Sequence, residues 1–201
     1  MKITKIQQQI KRANRYSIFI DGKYSFSLSE ADLVKLKLTV GQTLDDNQLS
    51  ELNDEAELSK AKNACLNLLS YRARSTGEMR DYLKRKGYDE EVSESVIEYL
   101  TSKAFLNDED FAKQWIENRV SIKKASVRQI RSELRAKKVS SSIISKLLDD
   151  EPINEVDTIR ELIEKKKSHT KYQDEEKLMQ FLSRRGFSYD KILVALGRRT
   201  E

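Results

Sequence analysis

A chain of 201 residues with 38% hydrophobic and 35% charged side chains is too polar for one large spherical core, and suits small helical units that each bury a narrow stripe. One proline and six glycines argue against a turn-rich β fold, and the lone Cys65 excludes a disulfide framework. With no apolar run of membrane-spanning length, no signal-peptide pattern and a modest net charge of +5, the expectation is a soluble cytoplasmic protein.

The first 29 residues differ from everything after them. Residues 16–20 and 23–28 flank Asp21-Gly22, the commonest two-residue type I′ hairpin signal. Ile18 and Ile20 alternate with Phe19, while Tyr24, Phe26 and Leu28 alternate with Ser25 and Ser27. Residues 3–10 are expected to add a third strand, because a lone hairpin is marginal in water. A short helix fits 29–38, with Ala31, Leu33, Val34 and Leu38 on its apolar side, and another fits 45–52.

Residues 58–72 form the next helix, burying Ala61, Cys65, Leu68 and Leu69. The stretch from Arg72 to Tyr88 then sets a plan that recurs. Ser75 and Glu78 have capping-box spacing, Met79, Tyr82 and Leu83 form an apolar stripe, and Gly87 ends the helix. Tyr88 restarts the apolar pattern and Asp89 caps a further helix. A shift of 51 residues maps Ser75, Glu78, Met79 and Leu83 onto Ser126, Gln129, Ile130 and Leu134. A shift of 99 maps Ser75, Met79, Leu83 and Gly87 onto Asp174, Leu178, Leu182 and Gly186. Three matches in register signal a repeat built on helices.

The chain therefore divides into 1–55, a β-hairpin with short helices, and three-helix repeats over 56–107, 108–151 and 152–201. In repeat one, helices over 76–86 and 90–103 follow the first. Repeat two has a first helix using Phe111, Ala112, Trp115, Ile116 and Val120, then helices at 127–137 and 141–148, and Pro152 marks the join to helices at 155–167, 175–185 and 189–197. The fold class is mainly α: tandem three-helix, helix-turn-helix-like repeats in an elongated, curved array with a small N-terminal β extension.

Chemistry is scarce. His169, the only histidine, sits in a polar stretch without neighbouring acids or cysteines, and with one Cys it builds no metal set. No P-loop or nucleophile motif is present, so no cofactor and no enzymatic activity are expected. The acids Asp108, Glu109 and Asp110 suit a helix first turn, and Trp115, spaced with Phe111 and Ile116, suits the core better than base stacking. From Lys123 to Lys138, seven basic residues face one acid, Glu133. Such a run is either a solvated helix face or a basic strip for phosphates or an acidic partner. Helix-turn-helix readout of an operator is disfavoured: the third helix of repeat one, from Glu90 to Tyr99, is strongly negative, and that of repeat two has no Arg.

Several runs resemble the RecX family of regulatory proteins: Leu68-Leu69-Ser70-Tyr71-Arg72-Ala73-Arg74-Ser75 with Glu78 and Leu83, Phe105-Leu106-Asn107-Asp108 with Phe111-Ala112, and Arg184-Arg185-Gly186-Phe187-Ser188-Tyr189. The front segment, with Ile3-Thr4-Lys5-Ile6 and the Asp21-Gly22 hairpin, looks like the extension of longer members. One departure is Lys137-Lys138-Val139, where the family pattern often has a Gly after the Lys. The resemblance implies a monomeric, non-enzymatic modulator, in most cases an inhibitor, of the RecA recombinase filament on single-stranded DNA, with weaker binding to double-stranded DNA. DNA repair, homologous recombination and the SOS response are the setting it implies. The residues expected to meet phosphates or RecA carboxylates are Arg119, Lys123, Lys124, Arg128, Arg131 and Arg135, extended by Arg72, Arg74, Lys84 and Arg85. A nonspecific nucleic-acid binder with no protein partner and a pure protein scaffold are the other readings.

Overall fold

Asp21 at φ 47° and Gly22 at φ 81° turn the chain back as a type I′ hairpin requires. The structure is a computed structural model that describes residues 1–10, 12–150, 153–167 and 174–198; His169 and Pro152 lie outside the described residues. The hairpin joins β2 (Arg12–Ile20) to β3 (Lys23–Ser29), and β1 (Ile3–Gln9) adds antiparallel to β2, giving the order β1-β2-β3. Ile3, Ile18, Ile20, Phe26 and Leu28 form the inner face and pack on Leu38, Leu44, Leu52 and Ala56.

The expected alternation of β3 fails at Tyr24. Ile18 pairs with Phe26 but Phe19 pairs with Tyr24, so the register slips by one residue at Ser25. A slip of one residue exchanges faces. Tyr24 therefore leaves the core face, is 58% exposed, and meets Phe19 edge-to-face at 6.0 Å.

Helix α1 (Glu30–Lys35), capped by Ser29, is shorter than the expected 29–38. Lys37 adopts φ 49° and ends the turn, so Leu33, Leu36 and Leu38 face the core while Val34 is 70% exposed. The two helices expected at 45–52 and 58–72 are one: α2 (Asp46–Leu69) runs 24 residues from a full Asp45–Gln48 capping box. Asn53-Asp54-Glu55-Ala56-Glu57 contains no glycine or proline to stop it. Its first half completes the sheet core through Leu52 and Ala56, and its second half enters a separate core through Ala61 and Cys65. Burial pushes the Cys65 thiol up to about 12, which keeps it protonated and unreactive.

Around that second core stand α3 (Thr76–Arg85) and α4 (Glu90–Ser102), burying Met79, Leu83, Val96, Ile97 and Leu100. The next set is α5 (Asp108–Ser121), α6 (Val127–Ala136) and α7 (Ser141–Asp150), over Phe111, Ile130, Leu134, Ile144 and Leu148. The last is α8 (Glu155–Lys167), α9 (Glu175–Arg184) and α10 (Tyr189–Ala195), over Ile159, Leu178, Leu182, Phe187 and Ile192. The repeat-related Leu83, Leu134 and Leu182 are each 0% exposed. The fold is mainly helical, with ten helices among the described residues and a small three-stranded sheet. None of those helices is long and apolar enough to cross a membrane. By packing, Met1–Arg74 with Met79–Leu106 form one compact unit, and Ser75–Glu78 with the chain from Asn107 onward form a second.

Each repeat's second helix ends in the same way. Gly87, Lys138 and Gly186 take φ 83°, 60° and 87°, and the following amides of Tyr88, Val139 and Phe187 donate to the carbonyls of Leu83, Leu134 and Leu182. Lys138 thus fills the left-handed position that glycine holds in the other two repeats, at the steric cost of its Cβ.

Within the second unit, helix starts sit on helix ends. Ser126, fully buried, accepts from the Gln129 amide at 3.2 Å and donates to the Arg185 carbonyl at 2.7 Å. Ser75 does the same, accepting from the Glu78 amide and donating to the Lys137 carbonyl. The next amides are also taken up: Val127 donates to Glu155 at 2.8 Å and Thr76 to Asp108 at 2.7 Å. The Ser75 box is reciprocal, since the Ser75 amide reaches Glu78 at 3.4 Å. That of Ser126 is not: Gln129 Nε2 donates to Glu133 Oε1 at 3.0 Å, so the expected second capping box is half made.

The contact is close enough to require glycine at Gly77, where an added Cβ would lie 2.3 Å from Lys138 Cβ and 3.1 Å from its carbonyl oxygen. A helical Gly→Ala change ordinarily stabilises by about 1 kcal/mol. Gly77→Ala is expected to destabilise by about 1–3 kcal/mol in urea unfolding, because the atoms in the way are backbone or next to it; a stabilised variant would contradict this packing.

Candidate partner and nucleic-acid interface

The second unit carries six of the ten basic residues expected to meet a partner, and the structure divides them by what they touch. Arg119, at the end of α5, donates from Nε to Glu133 Oε2 at 2.5 Å. Lys124, whose φ of 51° closes the turn before α6, pairs with Glu161 at 2.7 Å. Arg131 is half-buried between Ser145 at 3.2 Å and Asp149 at 3.9 Å. Each of these three has an acid partner within the unit. Lys123, Arg128 and Arg135 are exposed, and among the described residues no acid pairs with them. Arg128, Arg131 and Arg135 follow one another at three and four residues along α6, one face of a helix.

In the first unit, Arg72 and Arg74 lie in the turn before α3, with Arg72 Nη1 donating to the Ala73 carbonyl at 2.8 Å. Lys84 and Arg85 are exposed in the last turn of α3, where cations complement the helix dipole; Arg85 Nε donates to the Asp81 carbonyl at 3.3 Å.

Arg128 faces a 570 Å³ groove whose near wall carries Ser132 and Ala136 of α6 and whose far wall carries Ser183, Arg184 and Gly186. Arg184 is exposed and extends the cationic surface, and sequence reasoning omitted it. The signal was there, because the 99-residue shift maps Arg85 onto Arg184. Arg185 is different: its Nη2 donates to the carbonyls of Lys123 at 2.7 Å and Lys124 at 3.2 Å, fixing the turn that presents Lys123. Lys191 also borders Arg128 but is held by Glu155 at 2.5 Å.

Behind this surface lies a polar cluster around Trp115. The half-buried indole packs against the core of its repeat, as expected, and carries polar contacts as well. It stacks on Phe111 at 5.9 Å, donates from Nε1 to Glu133 at 2.9 Å, and has Arg119 at 4.0 Å and Lys137 at 4.2 Å from its ring. Lys137 also pairs with Glu78 at 3.1 Å. Burial alone would raise the Glu133 carboxyl, but hydrogen bonds from Arg119, Gln129 and Trp115 outweigh it and hold the group below its usual range. A carboxyl depressed on folding stabilises the fold above its unfolded pKa, and that stability drains away as pH falls through the lower, folded value. Glu133→Gln is expected to unfold more readily than the parent at pH 7, and the gap to close as pH falls below the ordinary carboxylate range and through the lower, folded value, below which both carry a neutral side chain. A constant gap across that range in thermal melts would contradict the assignment.

Four family descriptions match the chain in order: Regulatory protein RecX N-terminal domain over residues 1–45, and RecX first, second and third three-helix domains over 61–100, 107–148 and 154–196. The chain is 34% identical over 199 residues to the regulatory protein RecX of Bacillus subtilis (strain 168), covering 96% of this chain and 75% of that one. It is 34% identical over 196 residues to that of Oceanobacillus iheyensis, covering 92% and 72%. A crystal structure of a regulatory protein RecX aligns with TM-score 0.73 at 27% identity, over 98% of this chain and 99% of the other. The structure of RecX from Lactobacillus salivarius aligns with TM-score 0.63 at 27% identity, over 73% and 96%. With order, coverage and helical repeats in agreement, the chain belongs to the RecX family of regulatory proteins.

Proposed function

We propose that the chain is a non-enzymatic, monomeric cytoplasmic regulator that binds the RecA recombinase filament on single-stranded DNA and inhibits its ATPase, recombinase and coprotease activity. Family membership supports the regulatory role. The observation that carries the mode of binding is the exposed row of Arg128 and Arg135 on α6, with Arg184 across the groove and Lys123 in the preceding turn. These cations have no acid partner among the described residues, unlike Arg119, Lys124 and Arg131. Guanidinium groups on a rigid helix suit phosphate oxygens or RecA carboxylates, which they meet by two parallel hydrogen bonds. Arg72, Arg74, Lys84 and Arg85 of the first unit add to the contact. Arg119, Lys124 and Arg131 act from behind, by fixing α5, the turn and α6.

A nonspecific nucleic-acid binder would use the same row, and salt separates the two readings. Binding to naked single strands by phosphate contacts alone falls steeply with added salt, whereas a filament complex with protein contacts persists.

The test is charge reversal at the exposed positions. Arg128→Glu with Arg135→Glu is expected to weaken binding to RecA-coated single-stranded DNA by about tenfold or more, as lost charge-assisted contacts do. The melting temperature should hold within about 2–4 °C, the range for exposed substitutions. Equal loss of binding and stability, or binding that is unchanged, would remove α6 from the interface.

A further inference from the structure

A 470 Å³ pocket opens in the first unit among β2, α2 and the end of α3, and it shares no residue with the interface above. Its size falls in the range of small-ligand sites. Three cations line it, and among the described residues no carboxylate does. Arg15 enters from β2 and is 5% exposed; its Nη2 donates to Ser27 Oγ at 2.8 Å and the Ser27 carbonyl at 2.9 Å, which fixes the guanidinium in place. Lys60 of α2 and Lys86, just past α3, stand exposed at the mouth. A cleft lined by one sign of charge with low-dielectric walls concentrates the opposite charge.

The remaining lining suits a planar ring rather than a bare ion. Tyr82 and Tyr88 are half-buried, with Lys86 Nζ 5.8 Å from the Tyr82 ring. Burial first, then the neighbouring Tyr82, Cys65 and Glu57, hold the Tyr88 phenol above its usual range against the opposing Arg15, so it remains a donor at neutral pH. Asn63 and Asn67 are one turn apart on α2, on the same face as Lys60. Asn63 Nδ2 is taken by the Ser59 carbonyl at 2.9 Å, which leaves its side-chain oxygen as the group that can accept. Aromatic rings stack on any base, and amide side chains read base edges.

We propose that this pocket binds a nucleoside phosphate, with Arg15, Lys60 and Lys86 around the phosphate and Tyr82 and Tyr88 against the base. The same chemistry is offered by a free nucleotide and by one unit of a single strand. In the first case the site is independent of the α6 surface; in the second it rests on the nucleic-acid reading above and extends it to the first unit.

The test uses the full chain and a fluorescent ATP analogue, with ATP, AMP, adenosine and inorganic phosphate as competitors, and an oligothymidylate in a parallel arm. Arg15 also ties β2 to β3, so the exposed lysines are altered instead: Lys60→Glu with Lys86→Glu, checked for unchanged melting. The expected result is saturable binding displaced by ATP but not by adenosine, weakened about tenfold or more in the double variant. Oligothymidylate binding that survives in this variant assigns the site to a free nucleotide. Oligothymidylate binding that falls here while no analogue binds assigns it to a strand. The Arg128→Glu, Arg135→Glu protein, losing filament binding on its own account, reports separately on α6. If the lysine variant leaves both ligands' binding within twofold of the parent, the proposal is overturned.

Discussion

One hydroxyl does two jobs in the second unit, and the positions of its functional groups follow from that. Ser126 caps the start of α6 by accepting from Gln129, and with its proton satisfies the Arg185 carbonyl at the end of α9. Helix ends leave amides and carbonyls without intrahelical partners, and burying such a group unpaired is destabilising by about 1–3 kcal/mol. The serine settles one orphan of each kind at once. It is fully buried, so water offers no substitute. Ser75 repeats the arrangement with Glu78 and Lys137. Close approach has a steric consequence as well: a Cβ on Gly186 would lie 2.7 Å from Ser126 Oγ. Arg128, two residues past the cap, is thereby held beside Arg184 across the groove.

The same logic sorts the basic residues. A run with one acid per seven cations reads as a uniform strip in one dimension, yet in three dimensions the acids come from elsewhere. Glu161 reaches Lys124 from α8, Asp149 reaches Arg131 from α7, and Glu78 reaches Lys137 from the far repeat start. Glu133, the single acid of the run, goes to Arg119 and Trp115. Of the expected contacts in the run, Lys123, Arg128 and Arg135 are left with no acid partner among the described residues, and Arg184 stands across the groove from Arg128.

Much of this was legible in the sequence because it is local. The caps at Asp89, Ser126 and Asp174, the left-handed stop after the second helix and the Asp21-Gly22 turn each depend on a few adjacent residues, and they occur where the spacing put them, whereas Ser188 makes no side-chain cap bond. The departures come from longer-range pairing. The slip at Ser25 that expels Tyr24 depends on the register against β2, which alternation within β3 does not reveal. The fusion of two short helices into α2 depends on each half having its own core to enter, one built by the sheet and one by α3 and α4. Lys138 shows the converse: its sequence departs from the glycine pattern, and packing still holds it at φ 60°. The site was half legible, since charge could be counted but partners three helices away could not.

A regulator that acts on a filament should be felt by many RecA subunits per molecule bound, whereas a competitor for DNA acts only by covering it. The most direct measurement is RecA's ATP hydrolysis on single-stranded DNA, with the chain titrated in from far below one molecule per RecA. A fall in rate well before equimolarity, through filament ends or lattice, is the expected result. No change until the protein is abundant enough to saturate the DNA itself would contradict it, and would leave a basic helical repeat protein that competes for the strand.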